Sequence, residues 1–265
     1  MKPSKEKIVE TVSYSRVNDF LLTIAGLTSF SIRFLKIIFL PPYEFAEIKK
    51  HMDELGVKTL PIVSVTGFII GIVLTMQSQP TLARFGAESF LPAMVSLSVV
   101  RELGPVITAL IFAGRVSSGI GAELGSMRVT EQIDAMEVSA INPFKFLVVT
   151  RVVACIIILP ILTIYVIFIA LIGAYIAIII VQGMNIELYI NSVVSALKFT
   201  DLIPGVSKTI VFGFIVGIVG SYKGYNTSSG TVGVGKASTS SVVLSSLLIL
   251  IFDMVLVKIT VILWP

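Results

Sequence analysis

Residues 60–79 contain no charged side chain, and this uninterrupted apolar run most limits what the chain can fold into. Twenty residues of α-helix extend about 30 Å, which matches the hydrocarbon thickness of a bilayer. Four further apolar stretches follow, at 90–113, 152–182, 204–222 and 242–263. Because 55% of the 265 residues are hydrophobic and only 14% are charged, a soluble domain of this size could not bury the apolar surface. The sequence therefore predicts an all-α polytopic membrane protein with five transmembrane helices.

The segment before the first span is predicted to hold an amphipathic helix that lies in the membrane interface. Polar residues recur every three or four positions between apolar ones, at Arg16, Asp19, Thr23, Gly26, Ser29, Arg33 and Lys36. Such a narrow polar stripe is typical of an interfacial helix. The alternative is a first span that its charges have shortened. We therefore expect a cytoplasmic N-terminus with an interfacial helix over 1–59, and a single transmembrane domain over 60–265.

The basic residues predict the orientation of the chain. Lys and Arg number nine in residues 1–59, one in 80–89, four in 114–151, one in 183–203 and two in 223–241. Cytoplasmic connections carry the excess of positive charge in membrane proteins. The alternation therefore predicts a cytoplasmic N-terminus and a C-terminus on the opposite side of the membrane.

Several functional classes are disfavoured by the residue types. His51 and Cys155 are the only histidine and the only cysteine, which argues against a histidine-based metal site and a catalytic triad and excludes an intrachain disulfide. The net charge of +4 is too diffuse to indicate a nucleic-acid partner. Residues 230–237 read GTVGVGKA, which resembles a phosphate-binding loop but ends in Ala and lies between two membrane spans. We expect a flexible connection there, and neither a metal nor a cofactor.

Five charged residues lie within the predicted spans: Lys258 near the end of the last one, and four that could meet, namely Arg101, Glu102, Lys208 and Asp253. A charge at the centre of a bilayer costs at least about 2.5–3.5 kcal/mol, so such groups pair with one another or face a polar cavity. We expect these four side chains to form a network. It is either a buried clamp that fixes helix packing or a set of groups that line a transport path.

Small residues follow a four-residue spacing on the first and fourth spans: Gly67, Gly71 and Thr75, and Gly205, Thr209, Gly213, Gly217 and Ser221. Such stripes allow two helix backbones to approach closely within lipid. They predict either packing between helices of one chain or a homodimer face.

The connection between spans two and three is predicted to contain a short amphipathic helix with an acidic face. Thr130 can cap a helix that begins at Glu131, with Asp134 and Glu137 at three-residue spacing. The helix is expected to end before Asn142 and Pro143. It is either a docking surface for another protein or a solvated connector.

Four sequence blocks resemble, in the same order, the signatures of MlaE-family (YrbE-like) ABC-transporter permeases. They are VRELGPVITAL at 100–110, ELGSMRVTEQIDAMEVSAINP at 123–143, GVSKTIVFGFIVGIVGSYKG at 205–224 and GVGKASTSSVV at 233–243. The resemblance covers the chain from about residue 20 to the end. It departs from the family pattern at Ser221, where many members have cysteine, and at Lys236, where arginine is common.

The resemblance implies a non-enzymatic, homodimeric permease subunit of a phospholipid transporter in a bacterial inner membrane, with the plastid inner envelope as the less expected alternative. A separate cytoplasmic ATPase would bind and hydrolyse the ATP. In the family, the helix at 131–140 is the coupling helix seated in that ATPase, so the expected contacts are Glu131, Gln132, Asp134, Met136 and Glu137. An MCE-domain protein is expected on the opposite side of the membrane, and a STAS-domain protein is an optional further partner.

The resemblance also implies a lipid cavity near the end of the first span. The positions that correspond to the cavity lining of similar permeases are Leu74, Ser78, Leu82, Phe85 and Leu103. The alternative function is an ion-coupled secondary transporter or channel, in which the intramembrane charges would bind ions. That class predicts inverted repeats with broken helices, and no convincing internal repeat is evident in the sequence.

Overall fold

The computed structural model describes residues 5–41, 43–228 and 230–263, and within them the side chains from residue 21 to residue 262. All regular elements formed by these residues are helices: α1 (Lys5–Ile37), α2 (Phe45–Val57), α3 (Leu60–Arg84), α4 (Glu88–Val129), α5 (Gln132–Val138), α6 (Phe144–Gln182), α7 (Ile186–Ala196), α8 (Phe199–Tyr225) and α9 (Gly230–Leu263). Five of them (α3, α4, α6, α8 and α9) are long and apolar enough to cross a membrane. The predicted all-α polytopic fold with five spans is therefore confirmed.

The first helix, α1, belongs to a unit of its own, Met1–Tyr43, and the other helices belong to the unit Glu44–Pro265. Although α1 has 33 residues, it is not among the candidate spans found in the described residues. The side chains of Arg16 and Asp19, which begin the predicted polar stripe, lie outside the described part of the chain. The interfacial position of this helix stays a prediction.

The centre of the second unit is α6, which packs against α2, α3 and α8. A Cβ atom at Gly71 of α3 would overlap the carbonyl of Ala170 in α6, and one at Gly173 would overlap the carbonyl of Phe68. On α8, a Cβ at Gly213 would lie 2.5 Å from the carbonyl oxygen of Cys155. Both small-residue stripes are therefore used for packing within one chain, which decides between the two alternatives that the spacing left open.

The second span is longer than predicted, because α4 continues from the expected end at residue 113 through Val129. Its last three turns bury Ile120 and Leu124, and they pack against α8 and α9. Because this segment contains polar residues, the sequence predicts a connection between spans here. One face of this segment is covered by α8 and α9, so its helical form rests on protein contacts as well as on apolar sequence.

The expected flexible connection at 230–237 is wrong, since these residues form the first two turns of α9. A Cβ atom on Gly121 of α4 would lie 2.7 Å from Ser241 Oγ and 3.3 Å from the carbonyl oxygen of Ala237. Small residues on both helices thus allow α4 and α9 to pack closely. This packing explains why a glycine-rich segment, which is a weak helix former in water, is helical here.

The short helix α7 connects α6 to α8 and packs against α4. Asn185 caps it by accepting a hydrogen bond from the Glu187 backbone N–H at 3.4 Å. Tyr189 donates its hydroxyl to the Leu171 carbonyl oxygen at 2.8 Å, and burial raises the pKa of Tyr189 to about 12.

Candidate functional site

Three of the four predicted intramembrane charges meet around the ammonium group of Lys208. Its Nζ donates to Glu102 Oε2 at 2.6 Å and to Asp253 Oδ1 at 2.8 Å. These contacts join α8 to α4 and α9. The Lys208 side chain is only 4% exposed, so its charge is balanced by carboxylates and not by solvent.

Arg101, the fourth predicted member, pairs with a different residue, Asp201. Its Nε donates to Asp201 Oδ1 at 2.9 Å. Asp201 Oδ2 also accepts the backbone N–H of Lys198 at 3.0 Å, which closes the first turn of α8. Sequence reasoning missed Asp201 because it was assigned to the loop before the fourth span. The signal was its place as the third residue of α8, from which an acidic side chain can accept the backbone N–H of the residue that precedes the helix.

A wide, π-helical turn at Val99–Leu103 positions Arg101 and Glu102 in α4. Pro105 has no backbone N–H, so the carbonyl of residue 101 has no donor four residues later. One residue earlier, the Gly104 N–H bonds the Val99 carbonyl, five residues back, where a regular α-helix would use the carbonyl four residues back. Such turns are frequent at functional sites within helices.

The close approach of α8 to this wide turn depends on Gly205. A Cβ atom there would overlap the Val100 carbonyl oxygen. Gly205 lies between Asp201 and Lys208 on α8, so the same contact that brings the backbones together sets the reach of both ion pairs.

A cavity of about 680 Å³ adjoins these charges, between α4, the start of α8 and the end of α9. Its charged lining residues are Arg101, Glu102, Lys198, Asp201 and Lys208. Apolar side chains, including Leu97, Val257 and Val261, complete the wall. A cavity lined by both charged and apolar groups suits an amphiphilic molecule.

The five residues predicted to contact lipid lie elsewhere, on α3 and in the wide turn. Leu74 and Leu82 pack against the apolar cluster of α4, α6 and α7. Ser78 and Leu103 are half-buried, and Phe85 is 81% exposed at the end of α3. None of the five is among the described residues that line the cavity. Their role as lipid contacts stays a prediction.

The predicted docking helix is present as α5, but it begins one residue later than expected. Glu131 has a φ of 58°, in the left-handed region, so it precedes the helix, and Thr130 does not cap it. Within α5, the side chain of Ile133 is fully buried, whereas that of Val138 is 90% exposed. Asp134 pairs with Arg128 at the end of α4.

The other predicted contacts of α5 are accessible for a partner. Glu131, Gln132, Asp134 and Glu137 are exposed, and Met136 is half-buried. The buried Ile133 therefore holds the helix against the bundle while the acidic side faces outward.

The chain is similar to a family of known proteins over most of its length. A family model described as "Permease MlaE" matches residues 48–259. A probable ABC transporter permease protein of Rickettsia bellii is 42% identical over 229 residues, which are 86% of this chain and 88% of the relative.

Two relatives from other organisms cover similar shares. A probable ABC transporter permease protein of Synechocystis sp. is 38% identical over 202 residues, 76% of this chain and 77% of the relative. The intermembrane phospholipid transport system permease protein MlaE of Haemophilus influenzae is 34% identical over 216 residues, 81% and 83% of the two chains.

Proposed function

Because the chain belongs to the MlaE permease family, we propose that it is the membrane-spanning subunit of an ABC transporter that moves phospholipid. The observation that carries the proposal is the cavity of about 680 Å³, with its charged and apolar walls, between α4, α8 and α9. A phospholipid likewise combines a charged headgroup with apolar chains.

Arg101 is the cation of this cavity that we assign to the lipid phosphate. The Lys208 side chain is 4% exposed and has two carboxylate partners, whereas the Arg101 side chain is 58% exposed and has one. A guanidinium can bond a phosphate through two parallel N–H groups. Replacement of Asp201 by a lipid phosphate as the partner of Arg101 would thus cost less free energy than disruption of the Lys208 cluster. We assign that cluster to holding the three helices together.

The cytoplasmic ATPase is proposed to dock on α5 through Glu131, Gln132, Asp134, Met136 and Glu137. The exposed acidic side and the buried anchor Ile133 support this role. A rigid attachment is needed because motion of the ATPase must reach α4, to which α5 is joined by the Arg128–Asp134 pair. ATP would be bound and hydrolysed by that subunit alone.

The working unit is proposed to be a homodimer in a bacterial inner membrane, with α5 and the N-terminus in the cytoplasm. The most exposed span is α9, of whose most apolar stretch only 11% is buried, compared with 61% for α8. A second copy that packs near α9 would close the open side of the cavity. An MCE-domain protein would receive or deliver the lipid on the other side, and a STAS-domain protein would join the ATPase.

The test is purification of the tagged chain from its native membrane in mild detergent, with mass spectrometry of the retained proteins and lipids. The expected result is a nucleotide-binding ATPase in equal amount, an MCE-domain protein and bound phospholipid. Recovery of the chain without an ATPase under several gentle conditions would contradict the proposal. An ion-coupled transporter or channel would then be the better explanation of the intramembrane charges.

A further inference from the structure

A second, smaller cavity of about 250 Å³ lies at the opposite end of the bundle, between α2, α4 and α6. Its charged and titratable lining residues are His51, Glu54, Lys58, Arg115, Glu123 and Arg151. Arg115 lies 14 residues beyond Arg101 on α4, about 20 Å along a helix. The two cavities are therefore separate sites.

Two of the three cations in this small cavity are already neutralised. Lys58 pairs with Glu54 on α2. Arg151 Nη2 donates to Glu123 Oε1 at 2.6 Å, and its Nη1 donates to the Leu147 carbonyl oxygen at 2.8 Å. Each carboxylate of the cavity thus has its own cation.

Arg115 is the cation that remains. Its Nη1 donates to Thr59 Oγ1 at 2.7 Å, and no carboxylate within the described part of the chain pairs with it. Thr59 is fully buried, so this hydrogen bond fixes the guanidinium at the cavity wall. A guanidinium has five N–H donors, and the others are left for a ligand.

The position of the cavity indicates the kind of anion that would reach Arg115. Lys58 lies two residues before Leu60, where the uncharged first span starts, so this wall lies at the boundary between the hydrocarbon and the headgroup region. Anionic groups at that depth are the phosphates of lipid headgroups, and a free phosphate ion from the aqueous side is the other source of the same chemistry.

We propose that this cavity binds a phosphate group, with Arg115 as its principal ligand and Lys58 as a second cation at the rim, since the solvent-exposed pair of Lys58 with Glu54 is weak and can open. The planar fork of an arginine matches two oxygens of a phosphate. The site is independent of the transported-lipid cavity. A bound phosphate would join α2 to α4 at the end of the bundle that carries α5.

The proposal is tested on the purified full-length chain in maltoside detergent and phosphate-free buffer. Native mass spectrometry counts the phosphatidylglycerol molecules retained as this lipid is added, and isothermal titration calorimetry measures binding of inorganic phosphate. The variants are Arg115→Gln, Arg115→Lys and Lys58→Gln, with Arg84→Gln as the matched control. Arg84 is exposed at the far end of α3 and lines neither cavity.

We expect Arg115→Gln to weaken binding of one phosphate-bearing ligand by about tenfold or more, since it removes a charge-assisted pair of hydrogen bonds. Arg115→Lys should weaken it less, and Arg84→Gln should leave it unchanged. Loss of one retained lipid identifies a headgroup site, and loss of the phosphate heat identifies a site for the free ion. The proposal is overturned if neither probe distinguishes wild type from Arg115→Gln and Lys58→Gln. Lys58→Gln keeps the test valid if Arg115→Gln misfolds, because Lys58 is exposed at the rim.

Discussion

Arg101 and Glu102 are neighbours in the chain, but their side chains pair with groups two helical turns apart on α8. Arg101 bonds Asp201, and Glu102 bonds Lys208. Seven residues of helix separate these partners by about 10 Å. The two pairs have opposite polarity, so each fixes the register of α4 against α8, and a shift of seven residues (two turns) would bring Arg101 next to Lys208 or Glu102 next to Asp201.

Replacement of the central cation should destabilise the bundle strongly. Lys208→Met leaves the carboxylates of Glu102 and Asp253 without their shared partner, and we expect a loss of about 3–5 kcal/mol in the free energy of unfolding. Titration with a denaturing detergent measures this loss. Lys236→Met, which removes an exposed lysine of α9, should have little effect. Equal unfolding curves for the two variants would show that the cluster contributes nothing to stability.

The same cluster permits a test of a role in transport. Lys208→Met combined with Asp253→Leu removes both ion pairs of the cluster and leaves Glu102 as its only charged member. If this double variant assembles and transfers lipid at the full wild-type rate, the charge cluster has no part in transport.

Exchange of the charges of the second pair should separate stability from lipid handling. Arg101→Asp alone brings two carboxylates together and should lower both stability and lipid transfer, the latter by at least about tenfold. Adding Asp201→Arg rebuilds the pair with reversed polarity and should restore most of the lost stability, except for about 0.5–2 kcal/mol from the lost hydrogen bond between the Lys198 N–H and Asp201. Transfer should stay low, because the cation has moved from α4 to α8. Full recovery of transfer in the double variant would rule out a specific role for Arg101 at the headgroup.

A methyl group at the contact between α4 and α8 should push these helices apart. In Gly205→Ala the new Cβ would overlap the Val100 carbonyl oxygen, and overpacking of this kind costs about 1–3 kcal/mol. The matched change is Gly235→Ala on α9, where nothing lies within 4 Å of the added atom. That variant should be neutral or gain up to about 1 kcal/mol from helix propensity. The idea fails if both variants unfold alike.

Charge reversal on α5 should release the ATPase while the permease stays folded. Glu131→Lys with Asp134→Lys removes two exposed carboxylates and also replaces the Asp134 partner of Arg128. We expect the ATPase to be lost from co-purification and the size-exclusion profile of the permease to stay the same. Glu187→Lys, at an exposed position of α7, is the control. Undiminished association of the ATPase would refute docking on α5.

The stability of the protein should decrease as the pH falls below about 6.5, in part because of His51. Burial and the nearby Arg151 hold the pKa of His51 below its ordinary value, although Glu123, Glu47 and Glu54 oppose this shift. Between the folded and the unfolded pKa values the unfolded chain binds the additional proton, so acidification favours unfolding. His51→Gln should therefore lose less stability than wild type between about pH 7.5 and about pH 5.5. Identical pH curves would contradict this prediction.

The sequence predicts the five spans correctly because each contains a long apolar run. A span needs such a run because it must be stable in lipid, whatever tertiary contacts it makes. It fails at the helix ends that extend beyond the apolar runs. The last turns of α4 and the first turns of α9 are polar or glycine-rich, and their helical form depends on packing of Gly121 against Ala237 and Ser241. Those contacts are more than 100 residues apart in the chain, so no local pattern reveals them.

The sequence predicts which charged residues form the candidate site, but it does not predict which of them pair with each other. The cost of an intramembrane charge is enough to draw attention to Arg101, Glu102, Lys208 and Asp253, although it also flags Lys258. The choice of partners requires the register of α4 against α8, which the Gly205 contact and the wide turn before Pro105 determine together. Asp201 is missed in the same way. The sequence places it in a loop, whereas in the structure it lies in α8 and pairs with Arg101.

Because of the wide turn at Val99–Leu103, the site depends on how many residues α4 contains at this point and not only on which residues they are. A π-helical turn holds one more residue than the regular turn it replaces. Deletion of a single residue there would leave every charge in the sequence, yet rotate the two halves of α4 relative to each other by about 100°. When related sequences are aligned across α4, a one-residue gap at this turn therefore matters more to the identity of the site than several substitutions elsewhere in the helix.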